Sequence, residues 1–111
     1  MNLVTIIILE VIPIILWACG WYLENKATKY PDMNKGYKVG SATNNEKSWV
    51  YGNKVASKIF STTGSILFII IPIGDILFDL NFIMLIFISF IMICMDFFII
   101  EGIIKKKIKN S

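Results

Sequence analysis

Four ionisable residues stand inside stretches that are otherwise apolar: Glu10, Lys58, Asp96 and Glu101. On membrane-insertion scales an Asp at the centre of a helix costs about 2.5–3.5 kcal/mol. Such groups therefore turn toward other helices, where they serve as proton relays, ligand sites or register-fixing pairs. The chemistry open to them is narrow. All 11 basic residues are lysine, with no His and no Arg, so the commonest general base and the commonest metal ligand are missing. Cys19 and Cys94 each lie within an apolar block, without the spacing of a metal clip, and read as small helix- or lipid-facing side chains. No nucleophile–base pair and no phosphate loop stands out. The residues predict a non-enzymatic chain without cofactor or metal.

The elements that must position these groups are helices in a membrane. Of 111 residues, 56% are hydrophobic and only 17% charged, with a mean hydropathy of +0.68. A soluble domain carries roughly a quarter charged residues. The apolar residues fall in blocks of about 20, the length that crosses about 30 Å of hydrocarbon. The expected fold is an all-α integral membrane protein with one domain and three transmembrane helices, spanning about 3–23, 50–73 and 82–104. A cytoplasmic loop over about 24–49 and a tail over 105–111 complete it. The start of the first block lacks a positive region and no small-residue cleavage site follows, so the block reads as a retained span. Pro13 cannot donate to the Leu9 carbonyl and predicts a kink. Glu10, Trp17, Trp21 and Glu24 share one face of this helix.

The polar stretch from Lys26 to Lys58 separates the first block from the rest. Pro31-Asp32 and Asn34-Lys35-Gly36 are turn signals. Thr43-Asn44-Asn45-Glu46 fits a capping box, with Thr43 as N-cap of a second helix running toward Pro72. That helix is extended at the interface, where Lys54 and Lys58 snorkel. Ser57, Ser61 and Ser65, with Gly64 beside them, make a small-residue stripe for close helix approach. Pro72, Gly74, Asp75 and Asp79 read as an acidic turn, with Asp79 or Asn81 capping the third helix. Lysine-rich segments stay in the cytoplasm, which predicts the N-terminus outside and the C-terminus inside. An antiparallel hairpin turning near Leu77 would set Lys58 against Asp96 and Lys54 against Glu101, with Ser65 opposite Ser89 and within reach of Glu10. In the plainer reading these pairs only fix register. In the functional one they form a relay or ligand site.

The segment GYKVGSATNNEKSWVYGN resembles the SdpI family of bacterial membrane proteins. That family's pattern is a Gly-Tyr-Arg turn, a short spacer, an acidic helix start, a Trp three residues on and an Asn four after that. Gly36, Tyr37, Lys38, Glu46, Trp49 and Asn53 occupy these positions. Lys38 stands where the family usually has Arg, and a lysine offers a point charge without the bidentate fork. One span before the motif and two after also look like the short members. The resemblance implies an immunity or receptor-type signalling protein of the bacterial cytoplasmic membrane. Such a protein protects against a secreted toxic peptide or captures a cytoplasmic regulator, surrounded by membrane lipids and able to form a homo-oligomer. No folded basic face invites nucleic acid. Two other classes fit three spans: a holin-like pore former, disfavoured by the long polar segment, and a small transporter subunit, for which three spans enclose little volume.

Overall fold

A computed structural model describes residues 3–110, and its regular structure is helical throughout. Helix α1 covers Leu3–Asn25, α2 covers Glu46–Phe78 and α3 covers Phe82–Asn110, with a 3-10 turn at Gly40–Thr43. All three long helices have the length and apolar composition to cross a membrane. Their outer faces agree. Phe98 is 80% exposed and Ile83 76%, within a jacket that also includes Ile7, Ile8 and Phe87. Exposed apolar surface on this scale belongs against lipid or a partner rather than water.

Helix α2 is the central element. Helices α1 and α3 each pack along it and scarcely touch one another. Lipid removes the hydrophobic drive for helix association, so close backbone approach and hydrogen bonds must supply it. The serine stripe provides both, and α1 is the helix that uses it. Ser57 Oγ donates to the Gly20 carbonyl at 2.7 Å. Trp17 Nε1 donates to the Ser61 carbonyl at 3.2 Å and to Ser65 Oγ at 3.1 Å. A side chain at Gly20 would collide with Ser61 Oγ. Trp17 therefore faces α2, whereas Trp21 and Glu24, on the same expected stripe, are exposed. Helix α3 presents Leu85, Ser89, Asp96, Ile100 and Ile104 to the core, the three-to-four spacing of one helical face.

Three boundaries differ from the sequence expectation. The N-cap of α2 is Asn45, whose Oδ1 accepts the Ser48 N–H at 2.8 Å. Thr43 belongs to the 3-10 turn and donates its hydroxyl to the Gly40 carbonyl. Asn caps as well as Thr or better, so the competition was local. Helix α2 also runs through Pro72 and Gly74 to Phe78. A proline removes one ladder bond, and membrane helices accommodate that loss. The connection to α3 is thus only residues 79–81. Asp79 closes α2 in the left-handed conformation, and Asn81 Oδ1 accepts the Met84 N–H at 2.9 Å to start α3. Finally, the lysines of 105–109 continue α3 rather than forming a separate tail.

The 33 residues of α2 rise about 50 Å at 1.5 Å each, well beyond the about 30 Å of a hydrocarbon core. Its first turns, with Lys47, Lys54 and Lys58 exposed, extend past the apolar zone at the end where residues 26–45 and the α3 lysines also gather.

Candidate functional site

The site is the place where the non-helical segment 26–45 is fastened to the helices. Where its backbone is buried against the helices it needs hydrogen-bond partners that replace water, and each fastening answers that need. Thr28 and Lys35 close the first part of the loop. The Thr28 N–H donates to the Lys35 carbonyl at 2.8 Å, and the Lys35 N–H donates to Thr28 Oγ1 at 3.1 Å. Trp49 Nε1 then donates to the Thr28 carbonyl at 2.6 Å, tying this closed loop to α2.

Gly36 follows with φ +139°, a conformation that L side chains avoid. A Cβ here would sit 2.5 Å from Asn53 Oδ1 and 2.9 Å from the Trp49 ring. The bare backbone lets the loop descend onto Asn53. Its Oδ1 accepts the Tyr37 N–H at 2.7 Å, while its Nδ2 donates to the Trp49 carbonyl one turn back at 2.8 Å. Asn53 is 5% exposed and Trp49 2%, so these are interior bonds that need both partners. The Tyr37 ring enters an aromatic cluster, stacked on Phe97 at 6.1 Å and tilted to Phe60 at 6.2 Å. Burial, aided by the Glu101 charge, pushes the Tyr37 phenol up to about 12.

The second fastening is to α3. Glu101 receives the Ser41 N–H at 3.1 Å on Oε2 and 3.2 Å on Oε1, and Ser41 Oγ donates to Oε1 at 2.5 Å. Gly40 lies directly under the carboxylate. Lys105 approaches Oε1 at 3.8 Å from one turn along, an exposed contact of small worth. Ala42 is fully buried against Gly52. One carboxylate on α3 and one carboxamide on α2 thus hold the two halves of the loop.

This geometry corrects the expected ion pairs. Lys58 and Lys54 are exposed, and among the described residues neither pairs with an acid. Asp96 is 4% exposed, and its Oδ1 accepts from Thr63 Oγ1 at 2.7 Å. Because the hairpin turns at 79–81 instead of near Leu77, α3 slides along α2. Asp96 accordingly meets Thr63, five residues on from Lys58. Asp96 does face inward, as intramembrane acids should. Glu10 does not reach Ser65 or Ser89. Ser65 Oγ donates to the Ser61 carbonyl and Ser89 Oγ to the Leu85 carbonyl, while both Glu10 oxygens are buried without a hydrogen-bond partner among the described residues.

Of the six motif residues, Gly36, Tyr37, Trp49 and Asn53 interlock. Lys38 and Glu46 stay outside the interlock, exposed. Glu46 borders a hollow of about 540 Å³ that also receives Glu24, Lys29 and Lys54. Thr28, Ser41, Thr63 and Phe97 complete the arrangement without having drawn notice in the sequence. Their roles come from loop closure and from helix register, which no local spacing encodes. Ser41 had one faint signal, its place after a glycine in a polar turn. The arrangement is structural in its chemistry: it holds irregular backbone beside membrane helices and offers charged side chains at one end of the bundle.

The model of the SdpI/YfhL protein family matches residues 35–100. No curated protein and no solved structure matches the chain. The family match begins at the loop's descent onto α2 and runs through both fastening helices almost to Glu101, covering more than half of the 111 residues. The chain belongs to the SdpI/YfhL protein family.

Proposed function

We propose that this protein is a non-enzymatic immunity or receptor-type protein of a bacterial cytoplasmic membrane, with the fastened 26–45 segment as its recognition element. The supporting observation is the division of labour within the motif. Gly36, Tyr37, Trp49 and Asn53 hold the loop rigidly, which leaves Lys38 and Glu46 exposed at a fixed spacing. Charged side chains on a pre-organised surface select a partner at low entropic cost. The partner is a secreted toxic peptide or a cytoplasmic regulator. Lys26, Lys29, Lys35 and Lys38 lie at the same end of the bundle as Lys105–Lys107. The excess of lysine there supports a cytoplasmic placement for this end, with the N-terminus outside.

The test is growth of a peptide-sensitive bacterium expressing the chain under challenge by a secreted antimicrobial peptide. Expression should protect, and the double variant Lys38→Ala with Glu46→Ala should lose protection at unchanged abundance. Equal killing with and without the chain refutes the reading. Lysis without any peptide would assign a pore former instead.

A further inference from the structure

Helices α1 and α3 flank α2 without closing on one another. The gap between them opens sideways, toward the bilayer, and forms a groove of about 500 Å³. That is within the about 300–1,000 Å³ of ordinary small-molecule sites. Ala18 and Cys19 of α1, Phe60 of α2 and Phe97 of α3 line it, and the Tyr37 ring closes it where the loop crosses. The walls are apolar along their depth. Among the lining residues one carries a charge, Lys38, and none is acidic. Among the described residues Lys38 makes no ion pair, and it is exposed where the loop passes over the groove.

An apolar slot open to the bilayer with one cation at its edge fits an anionic amphiphile. We infer that the α1–α3 groove holds one acidic phospholipid of the bilayer, its acyl chain between Cys19 and Phe97 and its phosphate at Lys38. The charge decides among occupants. A zwitterionic lipid gains little from an isolated cation, and a cationic peptide is repelled by it. A free anion such as glycerol phosphate lacks the chain that the apolar walls accept. The lipid would also brace the loop, since Lys38 adjoins Tyr37 in the fastening. This inference shares Lys38 with the immunity reading, but lipid binding reads it without any growth assay, so either can fail alone.

The test is native mass spectrometry of the full chain in neutral detergent, titrated with phosphatidylglycerol or phosphatidylcholine of identical acyl chains. One lysine at an anionic lipid surface gives about a fivefold preference for the acidic lipid. One phosphatidylglycerol should bind with that preference, and glycerol phosphate should not compete. Lys38→Glu should abolish the preference, while Lys29→Glu, outside the groove, should keep it. Cys19→Trp should fill the slot and lower binding of both lipids. Should that variant lose its helical circular dichroism, Ala18→Phe takes its place. Equal binding of the two lipids by the unaltered chain would overturn the proposal, as would a preference that survives Lys38→Glu. So would a dimer that Cys19→Trp dissociates, because a second copy would then occupy the groove.

Discussion

Replacing Asn53 by Ala isolates one fastening bond. Asn53 Oδ1 is the acceptor for the Tyr37 N–H, at 2.7 Å in a position 5% exposed. Its second bond, from Nδ2 to the Trp49 carbonyl, adds to a carbonyl that already belongs to the helix ladder, so its removal leaves no orphan. The cost is that of stranding one buried N–H donor, about 1–3 kcal/mol. Since 1.36 kcal/mol is a factor of ten, the docked loop should open about 5- to 150-fold more often. Hydrogen exchange at the Tyr37 amide in detergent reads this opening directly. Exchange should accelerate by that factor in Asn53→Ala. Asn53→Gln, which keeps both an acceptor and a donor on a longer arm, should recover part of the protection. Unchanged Tyr37 exchange in Asn53→Ala would refute the claim that this carboxamide holds the loop.

Other consequences follow from the same fastening. Gly36→Ala should destabilise the docked loop by about 1–3 kcal/mol, because φ +139° is a glycine conformation and the new Cβ meets Asn53 and Trp49. Trypsin cleavage at Lys35 and Lys38 would report it as faster cutting. Glu101→Ala should cost about 1.5–3 kcal/mol, the worth of a hydrogen bond to a charged group, and should speed exchange at Ser41, which that carboxylate holds. Absorbance titration should show one tyrosine ionising near pH 12 in the folded protein, and Tyr37→Phe should remove that step. The sign is fixed. The folded value is raised, so the phenol's contribution is fully present below the unfolded value near 10 and is lost as pH climbs toward about 12.

The three helices were legible because apolar blocks of bilayer length are a strong signal. So was the serine stripe as a contact surface, although the spacing did not say which helix would use it. The long-range pairings were not legible. An antiparallel register depends on where the hairpin turns, and α2 continues through Pro72 to Phe78, past the residues that read as a turn. That shift gave Asp96 a threonine in place of Lys58. The role of Glu101 was hidden for a different reason. A carboxylate near a lysine-rich end invites an ion pair, but the folded loop brings it the Ser41 N–H and hydroxyl. Donors held in place by a turn cost less ordering than a flexible, hydrated lysine. Of the motif, Trp49 and Asn53 lie one turn apart and so share a face from sequence alone. Their grip on Gly36 and Tyr37 requires the fold.

The most direct test of the account joins loop docking to protection. Asn53→Gln, Asn53→Ala, Gly36→Ala and Glu101→Ala form a series graded in docking, ranked by amide exchange at Tyr37 and Ser41. Each variant is expressed at matched abundance in the peptide-challenge growth assay. If the fastened loop is the recognition element, survival falls in the same order as docking, with Asn53→Gln nearer the unaltered protein than Asn53→Ala. Full protection by a variant whose loop is open would contradict the account.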